Sequence, residues 1–164
     1  GILEPTHGFI DCLASVGMVF QNPDHQILMP NCRSELLLNL NQNLSRKEIN
    51  IKIDNALNKV GLTGFDKRPV NTLSGGQKQR LIIACALISD RNFVLIDEPT
   101  ALLDSESQLK VLRIIKDLTN NKSNPFTALW ITHRLEELVY ADGVAEMKDG
   151  NLSAWQKPSN FQYI

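Results

Sequence analysis

Polar side chains with chemical capacity stand directly after short apolar runs at three places. Gln21 follows Val16–Phe20, the pair Asp97-Glu98 follows Phe93–Ile96, and His133 follows Thr127–Thr132. Each run has the length and the Val, Ile or aromatic content of a core strand. In an open parallel sheet, ligands bind outside the carboxyl ends of the strands. One such sheet would bring an amide, two carboxylates and an imidazole to a single crevice. Any one of them alone reads as an ordinary strand-end polar residue; the three strand ends together carry the argument. A second constellation is Leu73-Ser74-Gly75-Gly76-Gln77-Lys78-Gln79-Arg80. Ser74 can cap the helix that follows. Gly75 and Gly76 let bare backbone N–H groups approach a ligand, and the positive helix N-terminus behind them suits a phosphate. Taken by itself the stretch also reads as a plain capped helix start.

The elements that must position these groups are visible in the pattern. Ser45-Arg46-Lys47-Glu48 is a capping box, and Ile49, Ile53, Ala56, Leu57 and Val60 recur after it at helical spacing up to a stop at Gly61. Leu81, Ala84, Cys85 and Ile88 form a buried helical stripe. Ser105-Glu106-Ser107-Gln108 predicts a second capping box, with Leu109, Leu112, Ile115 and Leu118 buried behind it. Gly143–Met147 and Leu152–Trp155 flank Asp149-Gly150, a hairpin signal. Strands alternating with helices predict an α/β fold with a mostly parallel sheet.

Composition narrows the class. The 164 residues are 43% hydrophobic and 21% charged, the make-up of one globular domain, and the net charge of −1 gives no global basic field for nucleic acid. The longest apolar stretch, Leu81–Ile88, is far shorter than the roughly 20 residues of a membrane-spanning helix. Cys12, Cys32 and Cys85 are odd in number and widely spaced, so no disulfide framework or zinc site is indicated and a reducing compartment fits. His7 and His25 lie in turns, Trp130 in a strand and Cys85 on a buried helix face; all four read as structural or solvated residues.

Leu73–Arg80 resembles the signature motif of ABC-type ATPases. Val94-Leu95-Ile96-Asp97-Glu98-Pro99-Thr100 resembles their Walker B strand with its catalytic glutamate, and Ala101-Leu102-Leu103-Asp104 their D-loop. Gln21 stands where the Q-loop glutamine belongs, and Thr132-His133-Arg134 where the H-loop does. Phe20-Gln21-Asn22-Pro23-Asp24-His25-Gln26 and the Gln-Lys-Gln-Arg continuation of the signature are similar to the ATPase subunits of energy-coupling-factor importers for vitamins and for cobalt or nickel. Met29–Leu38 departs from the acidic pattern of those subunits, and Leu102 replaces a small D-loop residue.

The resemblance implies a P-loop NTPase-like, mostly parallel sheet with an inserted helical subdomain at about 23–88, all within one domain over 1–164. It implies ATP and Mg²⁺ as ligands. Glu98 would act as general base, His133 would donate to the γ-phosphate, and Gln21 would touch Mg²⁺ or the water and report occupancy. Asp97 would help hold Mg²⁺. Ser74, Gly75, Gly76 and Gln77 would bind the nucleotide of an opposing subunit, and Asp104 would contact across that interface, where a helix cap beside Ser105 is the other reading. Partners would be a second ATPase subunit, as homo- or heterodimer, and transmembrane subunits, at the cytoplasmic or plastid stromal face of a membrane. A non-transport member of the family, as in iron–sulfur assembly, and a non-catalytic chain supplying only its signature motif are the alternatives. No Gly-x-x-x-x-Gly-Lys-Ser/Thr occurs in the sequence. The expectation is therefore a chain that begins after the phosphate loop, with Gly1–Thr6 following the loop's helix, and that turns over little ATP alone. In such a chain Phe93–Ile96 lies between the other two strands, and Gly143–Met147 lies beyond Thr127–Thr132, either across a vacant strand-width gap or paired to it directly by collapse.

Overall fold

The computed structural model describes residues 4–11, 15–40, 43–89, 91–122 and 126–161. Cys12 and the first residues of the Gly1–Thr6 segment lie outside these. Three parallel strands, β1 (Val16–Val19), β2 (Phe93–Asp97) and β3 (Thr127–Ile131), form a sheet in the order β1-β2-β3. The register pairs Val19 with Ile96 and Ile96 with Trp130, so the three carboxyl ends lie side by side.

Strand periodicity sorts the side chains. Gly17, Val19, Val94 and Ile96 are buried on one face, where an added Cβ at Gly17 would lie 3.6 Å from Ala86 Cβ of a helix. On the other face Met18 is 46%, Leu129 38% and Ile131 59% exposed. Val16–Phe20 and Thr127–Thr132 are thus core strands on one face only.

The two edges differ. The outer edge of β1 is sealed by side chains: Gln26 Nε2 donates to Met18 O at 2.8 Å while Gln26 Oε1 accepts from Phe20 N at 3.2 Å. Gln79 Nε2 and Arg91 Nη1 donate to Phe20 O and Val16 O. Such polar cover blunts an edge against foreign pairing. Among the described residues no strand pairs with the outer edge of β3. Gly143–Met147 does not join it; β4 (Met147–Lys148) and β5 (Asn151–Leu152) form a separate antiparallel hairpin. Asp149 (φ +48°) and Gly150 (φ +76°) turn it. Positive φ at both central residues is the geometry that matches strand twist in a two-residue hairpin.

Four helices complete the fold: α1 (Cys32–Leu37), α2 (Arg46–Lys59), α3 (Gly75–Ile88) and α4 (Ser105–Thr119). The Ser45/Glu48 box opens α2. At its end Leu62 N donates to Leu57 O and Gly61 N to Asn58 O, with Gly61 at φ +65°, a complete Schellman stop. The box expected at Ser105 does not form. Asp104 is the cap of α4, its carboxylate accepting from Ser107 N at 2.9 Å. The buried stripe of α4 is Val111, Leu112, Ile115 and Leu118; Leu109 is 44% exposed. Gln108 occupies the inward position one turn before Val111, which rotates Leu109 outward.

An open β3 edge beside exposed Leu129 and Ile131 is a template for association. Sedimentation velocity of the chain should show concentration-dependent self-association, reduced by Ile131→Lys. A concentration-independent monomer would contradict this reading of the edge.

Candidate active site

The three strand ends converge on Glu98. Gln21 Nε2 donates to Glu98 Oε2 at 3.0 Å, and His133 Nδ1 lies 2.9 Å from Glu98 Oε1. The Glu98 side chain is 26% exposed and that of His133 70%, so the pair opens to solvent from the imidazole side. Glu98 adopts φ +40°, the left-handed region that a non-glycine residue enters at a cost on the order of 1–3 kcal/mol. The conformation is fixed by backbone bonds on both sides: Glu98 N donates to Ile131 O at 3.0 Å, and Ala101 N to Glu98 O at 3.1 Å. Backbone strain next to a reacting group marks a functional site when the surroundings over-determine it.

Asp97 stands exposed at the end of β2, with no side-chain hydrogen bond or ion pair among the described residues. Asp97, Glu98 and the Gln21 amide oxygen are hard oxygen donors of the kind Mg²⁺ takes. No group of three or more His, Cys, Asp or Glu gathers into a ready cage among the described residues. That suits a cation held by one or two carboxylates together with substrate phosphates. The donor set therefore fits Mg²⁺.

The Ser74–Gln77 turn opens α3 as a reciprocal capping box: Gln77 N donates to Ser74 Oγ at 3.3 Å, and Ser74 N to Gln77 Oε1 at 3.0 Å. No hydrogen bond or ion pair among the described residues joins this turn to Glu98. It sits instead beside the first turn of α4. A Cβ on Gly76 would lie 2.7 Å from Ser107 Cβ, whereas one on Gly75 would meet only Leu103 Cδ2 at 3.6 Å. Gly76 thus has a steric reason, and Gly75 is the freer backbone donor. Asp104 serves as a cap. The Ser107 backbone N–H, then its hydroxyl, hold the Asp104 carboxyl below its ordinary range.

Other polar residues, within and outside the motifs, have structural roles that the motif pattern does not assign. Lys78 Nζ lies 2.7 Å from Asp24 Oδ1, which with Gln79 ties α3 to the loop after Gln21. Glu35, 3% exposed, accepts from Leu28 N at 2.9 Å and Met29 N at 2.7 Å, shaping the loop before α1. Polar residues at inward helix positions were the available signal. Burial pushes the Cys32 and Cys85 thiols up, which keeps them protonated and unreactive. Trp130 packs against the core, as its strand position suggests.

Parallel strands ending in this amide–carboxylate–imidazole set, with a Gly-Gly helix start elsewhere in the fold, form an α/β arrangement with two separate polar constellations. The chain belongs to the ABC transporter family, whose model matches residues 9–101. It is 42% identical over 154 residues to ABC transporter I family member 10 of Arabidopsis thaliana, covering 93% of this chain and 57% of that protein. It is 33% identical over 175 residues to the energy-coupling factor transporter ATP-binding protein EcfA1 of Streptococcus pyogenes, covering 98% of this chain and 62% of the relative. Among solved structures, cbiO1 of Clostridium perfringens, part of the ABC transporter complex cbiONQ, superposes with a TM-score of 0.81 at 31% identity, covering 88% of this chain and 58% of that one. The chain thus spans 57–62% of the length of these curated relatives.

Two outcomes follow from the geometry around α4. Gly76→Ala should destabilise the fold by about 1–3 kcal/mol through overpacking, with Ser107→Gly restoring part of the loss in urea melts; an unshifted midpoint would remove the steric role. Because the folded Asp104 value is depressed, its contribution to stability is present above the ordinary carboxylate range and lost as pH falls through the depressed value. Asp104→Ala should therefore melt below the parent at pH 7, and the two should converge in acid; a constant difference at all pH would contradict the charged cap.

Proposed function

We propose that the chain is the catalytic portion of an ATP-hydrolysing subunit that powers a transporter of the energy-coupling-factor or cobalt type. The observation that carries this reading is the Glu98 carboxylate held between Gln21 and His133 at three adjacent strand ends. The relatives named EcfA1 and cbiO1 support the subclass. The cargo would be a vitamin or a metal ion.

In this reading Glu98 accepts the proton of the attacking water, a task worth roughly 10²–10⁴-fold in rate. A carboxylate has about four acceptor directions, so Glu98 can bind that water while its present partners stay in place. His133 donates to the γ-phosphate and spreads the developing charge. Asp97 and the Gln21 oxygen hold Mg²⁺, which when bound neutralises phosphate oxygens. Ser74, Gly75, Gly76 and Gln77 act on the nucleotide of an opposing subunit, with Asp104 at the shared interface; the capped, positive N-terminus of α3 suits that use.

The partners in this reading are a second ATPase subunit and transmembrane subunits, with the chain lying peripherally on the cytoplasmic or stromal face. No helix among the described residues is long and apolar enough to cross a membrane. The segment from Gln21 to Leu40, which includes α1, is the proposed contact with the membrane-embedded partner. Leu28 is 76% exposed there, and a groove of about 460 Å³ opens beside it, lined by Asp24, Met29, Pro30, Pro69, Val70, Asn71 and Lys78. The helical subdomain at about 23–88 would present this groove.

In the full-length protein, Glu98→Gln should lower ATP turnover by about 10²-fold or more while ATP binding stays intact, because shape is kept and basicity lost. Unchanged turnover would remove Glu98 from the base role. A cysteine at His25 should crosslink to a membrane subunit in native membranes; crosslinks formed only from positions outside 21–40 would place the contact elsewhere.

A further inference from the structure

The turn after Glu98 and the segment after His133 are joined by buried polar contacts that the chemistry above does not use. Thr100 and Glu137 are 1% and 3% exposed, and the Thr100 hydroxyl donates to Glu137 Oε1. Arg134 Nε lies 3.6 Å from that same oxygen, and Arg134 Nη2 donates to Gln108 Oε1 at 3.2 Å. Gln108 Nε2 in turn donates to Thr100 O at 3.3 Å and Leu103 O at 2.7 Å. The second carboxylate oxygen, Glu137 Oε2, is buried without a hydrogen-bond partner among the described residues.

A carboxylate buried with one oxygen unpartnered is costly, and packing alone would be served as well by an apolar side chain. Its placement explains its presence. Thr100 lies just past Glu98, in the turn held by Ala101 N on Glu98 O and Leu103 N on Thr100 O. Glu137 lies in the 3₁₀ segment Leu135–Tyr140, directly after His133. The Thr100–Glu137 bond therefore closes a ring whose other closure is the 2.9 Å contact between Glu98 Oε1 and His133 Nδ1. Loss of the buried bond would leave the Glu98–His133 contact, Glu98 N on Ile131 O and the longer route from Arg134 through Gln108 to Thr100 O to hold both segments in register.

We propose that Glu137 is a positioning residue: through Thr100, and through Arg134 and Gln108, it fixes the turn at 98–103 against the segment after β3 and so sets the placement of Glu98 relative to His133. The proposal rests on the ATPase reading, and its test separates the two. In the full-length protein, Thr100→Val removes the hydroxyl at nearly constant volume, and Thr100→Ser keeps it. Thr100→Val and Glu137→Ala should each lower kcat for ATP by about 10- to 100-fold, the scale of a small misplacement of reacting groups. KM and ATP affinity should stay within about twofold, since only placement for the reaction changes. Thr100→Ser should retain parental kcat, and the double variant should lose no more than Glu137→Ala alone, because that change already removes the Thr100 bond along with the Arg134 contact. Amide hydrogen exchange at Ala101 and Leu103 should quicken in Thr100→Val and not in Thr100→Ser.

If Glu137→Ala does not fold, the Thr100 pair alone decides. Unchanged kcat in Thr100→Val, while Glu98→Gln abolishes turnover, would overturn the positioning role and leave the ATPase reading standing. Parallel loss of kcat, ATP affinity and melting temperature would also overturn it in favour of plain fold stability. Should Glu98→Gln leave turnover unchanged, the ATPase reading fails, and unaltered exchange at Ala101 and Leu103 would then overturn the clamp itself.

Discussion

A carboxylate at the end of a central strand, held on one side by an amide from the first strand and on the other by an imidazole from the third, organises this molecule. Gln21, Glu98 and His133 are far apart in the chain and meet because parallel pairing sets the three carboxyl ends level. Parallel strands cannot be joined by tight turns, so each return must cross over the sheet. The crossovers are the helical segment with α1, α2 and α3 between β1 and β2, and α4 between β2 and β3. The left-handed backbone at Glu98 is tolerated because β3 accepts its N–H and the following turn donates to its carbonyl.

The second constellation, at the start of α3, is mechanically tied to the first. Gln79 and Lys78 lie on α3 itself and reach Phe20 O and Asp24, the residues that bracket Gln21. Gly76 lets the same helix start press against Ser107 of α4, whose cap is Asp104. Arg80 donates to Gly76 O, Val60 O and Gly61 O, so a half-buried guanidinium answers the negative end of α2 with carbonyls alone.

Much of this was legible in the sequence because it depends on local chemistry. The three apolar runs, the Ser45 and Ser74 caps, the Gly61 stop and the Asp149-Gly150 turn each carry their own stereochemical reason, and the strand-end residues Gln21, Glu98 and His133 follow once the sheet is parallel. What escaped depends on tertiary choice. Between the Ser105 box and the Asp104 cap, both open from sequence, the fold chose Asp104, since either side chain can reach an amide of the first turn. Gln108 took the inward place that hydrophobicity alone assigns to Leu109, because its amide finds Thr100 O, Leu103 O and Arg134. Thr100 and Glu137 look like surface residues in sequence, and only the fold shows them buried on each other.

If the strand ends act as one catalytic unit, removing two of them should cost little more than removing one. A double-mutant cycle on ATP turnover in the full-length protein, with Glu98→Gln, His133→Ala and the pair, measures this directly. The account predicts strong non-additivity, the double variant resembling Glu98→Gln alone, as for groups that serve a single step. Independent effects that multiply in the double variant, or turnover that survives both changes, would contradict it.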